Sequence, residues 1–209
     1  MLELISKTEI CIDSLTERLD LPKIFGRNAP LHVDLGCGDG TFLCALAEAN
    51  PEKNFIGVER LVGRVAKACR KACPSRTGDR IDNVRFVCVE SSYAVRFLLP
   101  HESVETFYLL FPDPWPKRRH QRRRIVTPDF LDSIARALQS NGLLRIATDQ
   151  LDYFQQIERL VRIVALPAKL ELVEDDHCVD LPLTKFERRF REAGAPIYRL
   201  ALRKVSLVR

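Results

Sequence analysis

The sequence predicts a doubly wound α/β fold, with a mostly parallel seven-stranded sheet and helices on both of its faces. Short apolar runs that suit buried strands alternate along the chain with segments that suit helices. Hydrophobic residues make up 46% of the 209 residues, which is ample for one core. We therefore expect an N-terminal arm over residues 1–28 and a single domain over residues 29–209.

Seven strands are predicted from apolar runs that stop at glycine, proline or polar residues. The first run ends at Gly36, and the fourth leads directly into a proline-rich loop. The predicted strands cover residues 31–35, 54–59, 83–90, 104–111, 143–148, 169–173 and 197–205.

Helices are predicted between these strands from their start and stop signals. Asn50 precedes a proline and therefore ends the first helix, because that position avoids the helical region. Thr127 suits an N-cap, and Pro128 suits the first helical position. The predicted helices cover residues 41–50, 61–72, 92–99, 127–141 and 149–164, and a short charged helix begins at residue 184.

Composition excludes several classes of protein. No apolar run approaches the roughly 18 residues that a membrane span needs, and the N-terminal residues do not resemble a signal peptide. The seven cysteines are an odd number and lie mostly in apolar segments, which favours a reducing cytoplasm over a disulfide framework. Cys69 and Cys73 lie near no histidine or second cysteine pair in the sequence, so we expect no metal site.

The segment Phe111–Arg124 combines three prolines with an acid, the only tryptophan and a basic run. The prolines exclude helix and central strand, so a stiff loop is expected to present Asp113 and Trp115. Six Lys or Arg residues follow Pro116 among eight positions, whereas the whole chain has a net charge of only +5. Such local concentration indicates a polyanionic partner, and Trp115 either stacks on a base or packs in the core.

A glycine-rich turn, Asp34-Leu-Gly-Cys-Gly-Asp-Gly40, lies between the first predicted strand and the helix after it. Ligands of doubly wound sheets bind at this kind of position. A dinucleotide site would require a third glycine where Thr41 stands. Asp34 directly precedes the glycines, and an acid there suits a cofactor with a cationic amino-acid end better than a pyrophosphate.

Two more acids end the next predicted strands. Glu59 lies about twenty residues after the turn, where a carboxylate can accept both ribose hydroxyls of an adenosine. Glu90 ends the third strand, where it could face an adenine edge. Three such acids would repel phosphates and favour S-adenosylmethionine, although any one of them could instead cap a helix.

From about Ile24 onward, the chain resembles the bacterial type of tRNA (guanine-N7)-methyltransferase. The resemblance rests first on the glycine-rich turn, on Gly57-Val-Glu59 and on Phe111–Arg124. It continues in Ala147-Thr-Asp149, Thr184-Lys-Phe-Glu187 and Pro196-Ile-Tyr-Arg-Leu200. It implies a Rossmann-like class I methyltransferase fold, with residues 29–209 as the methyltransferase domain, and methylation of a guanine in the tRNA variable loop (tRNA position 46).

The resemblance also implies roles for individual residues. Asp113 is the implied catalytic acid. Those implied to bind the cofactor are Asp34, Gly36, Gly38, Gly40, Glu59, Glu90 and Asp113. Those implied to contact the target nucleotide are Lys117, Asp149, Thr184, Lys185, Phe186 and Glu187. Those implied to bind RNA are Arg119, His120, Gln121, Arg122, Arg123 and Arg124.

The chemistry of guanine limits what the acids need to do. N7 carries a free lone pair at neutral pH, so methyl transfer requires no general base. An acid can stabilise the positive charge of the product, or it can accept hydrogen bonds from guanine N1 and the exocyclic amine. The sequence does not divide these two tasks between Asp113 and Asp149.

Other functions stay open at this point. The chain could be a class I methyltransferase for another RNA, a protein or a small molecule, or a noncatalytic RNA-binding module. A dehydrogenase is least compatible with Thr41. For the methyltransferase we expect tRNA as the partner, no membrane association and no obligatory protein partner, with the chain as a monomer or homodimer.

Overall fold

The computed structural model describes residues 8–14, 16–73, 81–174 and 181–205. Its centre is one sheet of eight strands in the order β1-β4-β3-β2-β5-β6-β8-β7. The strands are β1 Glu9–Ile10, β2 Leu31–Leu35, β3 Asn54–Glu59, β4 Val84–Cys88, β5 Val104–Leu110, β6 Leu138–Thr148, β7 Leu170–Val173 and β8 Tyr198–Lys204.

Helices connect most of these strands. They are α1 Leu21–Phe25, α2 Thr41–Ala49, α3 Val62–Ala72, α4 Ser91–Tyr93, α5 Pro128–Ala137, α6 Leu151–Ala168 and α7 Lys185–Glu192. A π-helical turn, Ala94–Leu98, continues α4, and a 3-10 helix covers Arg118–Arg123. None of the helices in the described part of the chain is long and apolar enough to cross a membrane.

The doubly wound α/β prediction is confirmed, but the predicted number of seven strands is wrong. All pairings among β1 to β6 are parallel, and β8 runs antiparallel to both of its neighbours. The additional strand, Glu9–Ile10, lies within the predicted N-terminal arm and pairs with Phe86 and Val87 at the edge of the sheet. Its two residues are too few to give a period-2 pattern in the sequence.

Two hydrophobic clusters cover the two faces of the sheet, because successive strand residues point to opposite sides. Phe107 packs in the cluster that includes α5 and α6, whereas Tyr108 packs with α2 and α3. The chain order reverses between β2 and β5, which are neighbours in the sheet. A ligand site is therefore expected outside the carboxyl ends of these strands.

The six described cysteines are free thiols, and Cys178 lies outside the described residues. Cys37 lies directly against β3, where a side chain at Gly57 would bring a Cβ atom within 2.7 Å of its sulfur. Glycine at position 57 is thus required for the turn after β2 to pack on β3. No group of three potential metal ligands occurs among the described residues.

Candidate active site

A cavity of about 620 Å³ opens where the sheet order reverses, a size typical of small-molecule sites. The structure brings ten of the predicted site residues to its lining: Asp34, Gly36, Gly38, Glu59, Glu90, Asp113, Arg123, Thr184, Lys185 and Phe186. The other predicted residues are not part of that lining: Gly40, Lys117, Arg119, His120, Gln121, Arg122, Arg124, Asp149 and Glu187.

The glycine-rich turn forms one wall of the cavity. Gly36, Gly38 and Gly40 have φ angles of 85°, 58° and 73°, in the left-handed region that favours glycine. The backbone N–H of Gly36 donates to the Val58 carbonyl at 2.8 Å, which fixes the turn to β3. A Cβ atom added at Gly36 or Gly38 would meet nothing within 4 Å, so their backbone has open space for a ligand.

Asp34 lies buried beneath this turn, with 4% of its surface exposed. Burial, and next the nearby Glu59 carboxylate, raise the pKa of Asp34 to about 7. No described residue forms an ion pair with its carboxylate. A carboxylate in such a place is stabilised in its charged form by a ligand cation, so the site fits a positively charged cofactor.

Glu59 joins the glycine-rich turn to the start of α3. One of its carboxylate oxygens accepts the Gly38 N–H at 3.2 Å, and the other accepts the Leu61 N–H at 3.0 Å. Arg64 lies 3.6 Å away, although Glu59 itself is buried. These contacts fix the carboxylate at the position where the sequence predicts contact with a ribose.

Glu90 caps a helix, as the sequence allowed for any strand-end acid. Its carboxylate accepts the Tyr93 N–H at 2.9 Å at the start of α4. The side chain is exposed and still lines the cavity. Its predicted contact with adenine therefore stays a prediction.

The proline-rich loop places Asp113 at the opposite wall. Phe111 and Trp115 both have positive φ angles, 55° and 42°, a backbone conformation that is uncommon for residues other than glycine. The Asp113 side chain is 71% exposed, and its carboxylate lies 4.0 Å from the Arg60 guanidinium. Asp113 is thus available to a substrate in the cavity.

Trp115 is half-buried, lines the cavity and belongs to neither core cluster of the described residues. The Arg123 guanidinium lies 5.0 Å from the centre of its ring, and His120 meets the ring edge-on at 5.9 Å. Of the two alternatives for Trp115, the structure therefore disfavours core packing. The cation–π contact also links the tryptophan to the basic run.

The basic run forms the 3-10 helix Arg118–Arg123, which begins only after the last proline. Most of its cations are exposed, namely Lys117, Arg118, Arg119, Arg122 and Arg123. His120 and Gln121 are half-buried between them. This arrangement leaves a row of charges in solvent beside the cavity.

Arg124 is an exception, and its predicted role as an RNA contact needs correction. The residue is 3% exposed, and its guanidinium lies over the Tyr153 ring at 4.6 Å. It donates to the Pro114 carbonyl at 2.7 Å and forms an ion pair with Asp152 on α6. Arg124 therefore anchors the proline-rich loop to α6 instead of facing the solvent.

The segment around α7 divides into structural and cavity-facing residues. Thr184 is the N-cap of α7 and accepts the Glu187 N–H at 2.9 Å. Glu187 is buried and paired with Arg191 and Arg199, so its carboxylate faces protein and not the cavity. Phe186 is 53% exposed and reaches the cavity.

Asp149 is half-buried just after β6, and its carboxylate accepts from the side chain of the adjacent Gln150. It does not line the cavity, whereas Asp113 does. Of these two acids, only Asp113 is therefore placed to contact a molecule bound in the cavity.

Asp39 is a site residue that the sequence interpretation missed. It lies 3.2 Å from Lys71 and also forms an ion pair with Lys185, which was expected to contact the nucleotide. Although burial opposes it, hydrogen bonds from Lys185, Thr41 and Lys71 hold the pKa of Asp39 below its usual range. The only signal was its place between two glycines of the turn, which does not reveal partners on α3 and α7.

Known proteins resemble this chain in sequence. Residues 28–200 match the family described as "Putative methyltransferase". The "tRNA (guanine-N(7)-)-methyltransferase" of Halorhodospira halophila is 38% identical over 190 residues, covering 88% of this chain and 79% of that protein. The protein of the same name from Leifsonia xyli subsp. xyli is 39% identical over 192 residues, covering 88% and 81%.

The fold also resembles that of a solved structure, the antibiotic-resistance methyltransferase Kmr. The TM-score is 0.64 at 18% identity, covering 90% of this chain and 92% of that one, a likeness of fold alone. The two sequence relatives, by contrast, exceed 30% identity over most of both chains. By this measure, the chain belongs to the tRNA (guanine-N7)-methyltransferase family.

Proposed function

We propose that the protein transfers a methyl group from S-adenosylmethionine to N7 of a guanine in tRNA, at position 46 of the variable loop. One observation carries the proposal: a single cavity joins the buried Asp34, which forms no ion pair with any described residue, to the exposed Asp113 beside a basic segment. Family membership supports the substrate and the reaction.

The cofactor wall has the donor set that S-adenosylmethionine needs. Asp34 and the glycine-rich turn bind its amino-acid end, and Glu59 accepts hydrogen bonds from its ribose. When bound, S-adenosylmethionine would supply a methyl group on a cationic sulfur. The sulfur keeps the electron pair of the sulfur–carbon bond that breaks. The buried acids Asp34 and Glu59 favour this cationic cofactor over a dinucleotide, whose phosphates they would repel.

The residues of the opposite wall position the guanine. Because N7 attacks through its free lone pair, no residue has to remove a proton, and catalysis depends on alignment and exclusion of water. Asp113 stabilises the positive charge that develops on the methylated ring. Trp115 and Phe186 offer aromatic surfaces at the same cavity for the exposed base.

The exposed cations Arg118, Arg119, Arg122 and Arg123 hold the RNA backbone near the cavity. Phosphate contacts of this kind offset the few kcal/mol needed to expose a base in folded RNA. Both walls come from one chain, so we propose that the protein acts without an obligatory protein partner, as a monomer or homodimer. The free thiols of the described cysteines support a location in the reducing cytoplasm.

A methyl-transfer assay tests the proposed function. The protein is incubated with methyl-labelled S-adenosylmethionine and unmodified tRNA, and the product is digested to nucleosides. We expect the label in N7-methylguanosine, and none in a matched tRNA that carries adenine at position 46. Label in another nucleoside, in protein or in a small molecule, with none in N7-methylguanosine, contradicts the proposal.

A further inference from the structure

Helix α3 carries a row of cations beside the cavity. Arg64, Lys67 and Lys71 follow at spacings of three and four, so they lie within roughly 60° around a helix of 3.6 residues per turn. Arg60 precedes the helix and lines the same cavity. All four residues, hereafter the α3 cation row, are exposed, and Val62–Ala72 contains no acidic residue.

Three members of the α3 cation row face the acids of the site. Arg60 lies 4.0 Å from Asp113, Arg64 lies 3.6 Å from Glu59, and Lys71 lies 3.2 Å from Asp39. Lys67 forms no ion pair with any residue that the structure describes.

The Arg60–Asp113 pair is exposed on both sides and contributes little to folding stability, and Lys67 contributes no ion pair among the described residues, so stability does not explain the whole row. Arg60 and Arg64 keep more than half of their side-chain surface in solvent, at 64% and 54%. Their outer sides are therefore free to contact a second anion.

The acids of the cavity would repel the phosphates of an RNA, and the cations of the row can offset that repulsion. Carboxylates that attract a cationic cofactor repel the phosphates of an RNA that must reach the same cavity. The 3-10 helix Arg118–Arg123 follows β5, and α3 follows β3; these two strands are the neighbours of β2 in the sheet. The two groups of cations therefore flank the glycine-rich turn from both sides.

We propose that the α3 cation row is a second tRNA-binding surface, which holds phosphates across the cavity from Arg118–Arg123. This inference rests on the proposed function for the identity of the polyanion. The RNA backbone is then held on both sides of the reacting guanine, and the row shields it from Asp113, Glu59 and Asp39.

Matched substitutions on α3 test the row. Lys67→Gln removes a member that lines the cavity. Arg70→Gln removes an exposed cation that does not line the cavity and lies beyond the edge of the row, about 60° from Lys67 and about 120° from Arg64 around the same helix. Binding of unmodified tRNA is measured over a range of salt concentrations. Affinity for S-adenosylmethionine and thermal unfolding are measured on the same samples.

We expect Lys67→Gln to weaken tRNA binding about threefold and to lower the log–log salt slope by about 0.7–0.9, as one lost phosphate contact does. Arg60→Gln combined with Lys67→Gln should roughly double the change in slope. Arg70→Gln should leave the slope unchanged, and cofactor affinity should stay within about twofold in every variant, because charge on the row serves RNA.

Equal effects of Lys67→Gln and Arg70→Gln on tRNA binding overturn the inference, since net charge alone would then explain them. A loss confined to cofactor affinity also overturns it. Failure of this inference differs from failure of the proposed function. The inference fails in the salt slopes of the variants, whereas the proposed function fails if the wild-type reaction yields no N7-methylguanosine.

Discussion

The two walls of the cavity bind charge in opposite ways. On the cofactor wall, Asp34 and Glu59 are each only 4% exposed, and backbone hydrogen bonds fix Glu59. On the opposite wall, here called the RNA wall and formed by Asp113, Trp115, Arg123 and Phe186, Arg123 and the neighbouring arginines of the 3-10 helix are exposed. Only Glu187 is buried in the adjoining α7. Burial shifts the pKa of a carboxylate, so its binding of a ligand cation depends on its protonation. Salt screens exposed charges, so their binding of an anion weakens as ionic strength rises. Cofactor binding should therefore depend on pH, and tRNA binding should depend on ionic strength.

The largest expected effect concerns Asp113, which lies on the wall opposite the glycine-rich turn. Asp113→Asn should lower kcat by roughly 10²–10³-fold, because a stabiliser of the developing positive charge is lost. Cofactor affinity should change little, since the Asp113 side chain is exposed and its ion-pair partner is Arg60, whereas the buried acids Asp34 and Glu59 hold the cofactor. Steady-state kinetics and calorimetric titration with S-adenosylmethionine measure the two quantities.

Asp129→Asn is a suitable control for Asp113→Asn. Asp129 is an exposed acid in the first turn of α5 and does not line the cavity. A large loss of cofactor binding in Asp113→Asn would assign Asp113 to the cofactor wall instead.

The next effect concerns the buried charge itself. Asp34→Asn should weaken cofactor binding about 100-fold, as expected when one partner of a buried ion pair is removed. Without ligand, the same variant should be more stable at pH 8 than the wild type. Calorimetric titration and thermal unfolding at pH 5 and pH 8 measure the two effects.

The higher stability expected of Asp34→Asn at pH 8 follows from the raised pKa of Asp34. The folded protein binds a proton up to about pH 7, whereas the unfolded chain releases it near 3.8. The free energy of unfolding therefore falls as pH rises from about 4 to about 7, and the penalty is fully present above that range. Asparagine removes this penalty, so an Asp34→Asn protein that is less stable than wild type at pH 8 contradicts the assignment.

The third effect distinguishes the exposed Arg122 and Arg123 from their buried neighbour Arg124. Arg122→Gln with Arg123→Gln should weaken tRNA binding about tenfold and reduce the salt slope by about 1.5. Arg124→Gln should leave the slope unchanged but lower the free energy of unfolding by about 1–3 kcal/mol, because the buried guanidinium loses its hydrogen bonds to Pro114 and Asp152. Filter binding at several salt concentrations and chemical denaturation test both. An Arg124→Gln variant with native stability and a reduced salt slope would show that Arg124 contacts RNA and does not anchor the loop.

The smallest effect concerns the contact between Asp39 and Lys185. Both groups are partly exposed, so Lys185→Gln should raise the KM for tRNA only about threefold, and Lys185→Arg should restore it. If the ion pair is the whole role of Lys185, Asp39→Asn with Lys185→Gln is no worse than either single variant. Additive losses in steady-state kinetics would show that Lys185 also contacts the nucleotide.

Sequence patterns predicted the cofactor wall better than the RNA wall. Strand ends and a glycine-rich turn are local signals, and the sheet brings Asp34 and Glu59 together because β2 and β3 are parallel neighbours. The inward turn of Arg124 and the pairing of Asp39 with Lys185, 146 residues away, depend on tertiary packing that no local pattern records. The two-residue strand β1 was missed for a simpler reason, since two residues are a single period of a strand pattern and cannot show a repeat.

The difference between the two walls is tested most directly by the affinity for S-adenosylmethionine as a function of pH and salt. We expect wild-type affinity to fall about tenfold for each pH unit below about 7, as Asp34 takes up a proton that the cofactor must displace. The affinity of Asp34→Asn should not follow pH, and salt should change neither protein greatly. Wild-type affinity that is constant between pH 8 and pH 5.5, or that falls with salt as steeply as tRNA binding does, contradicts this description of the site.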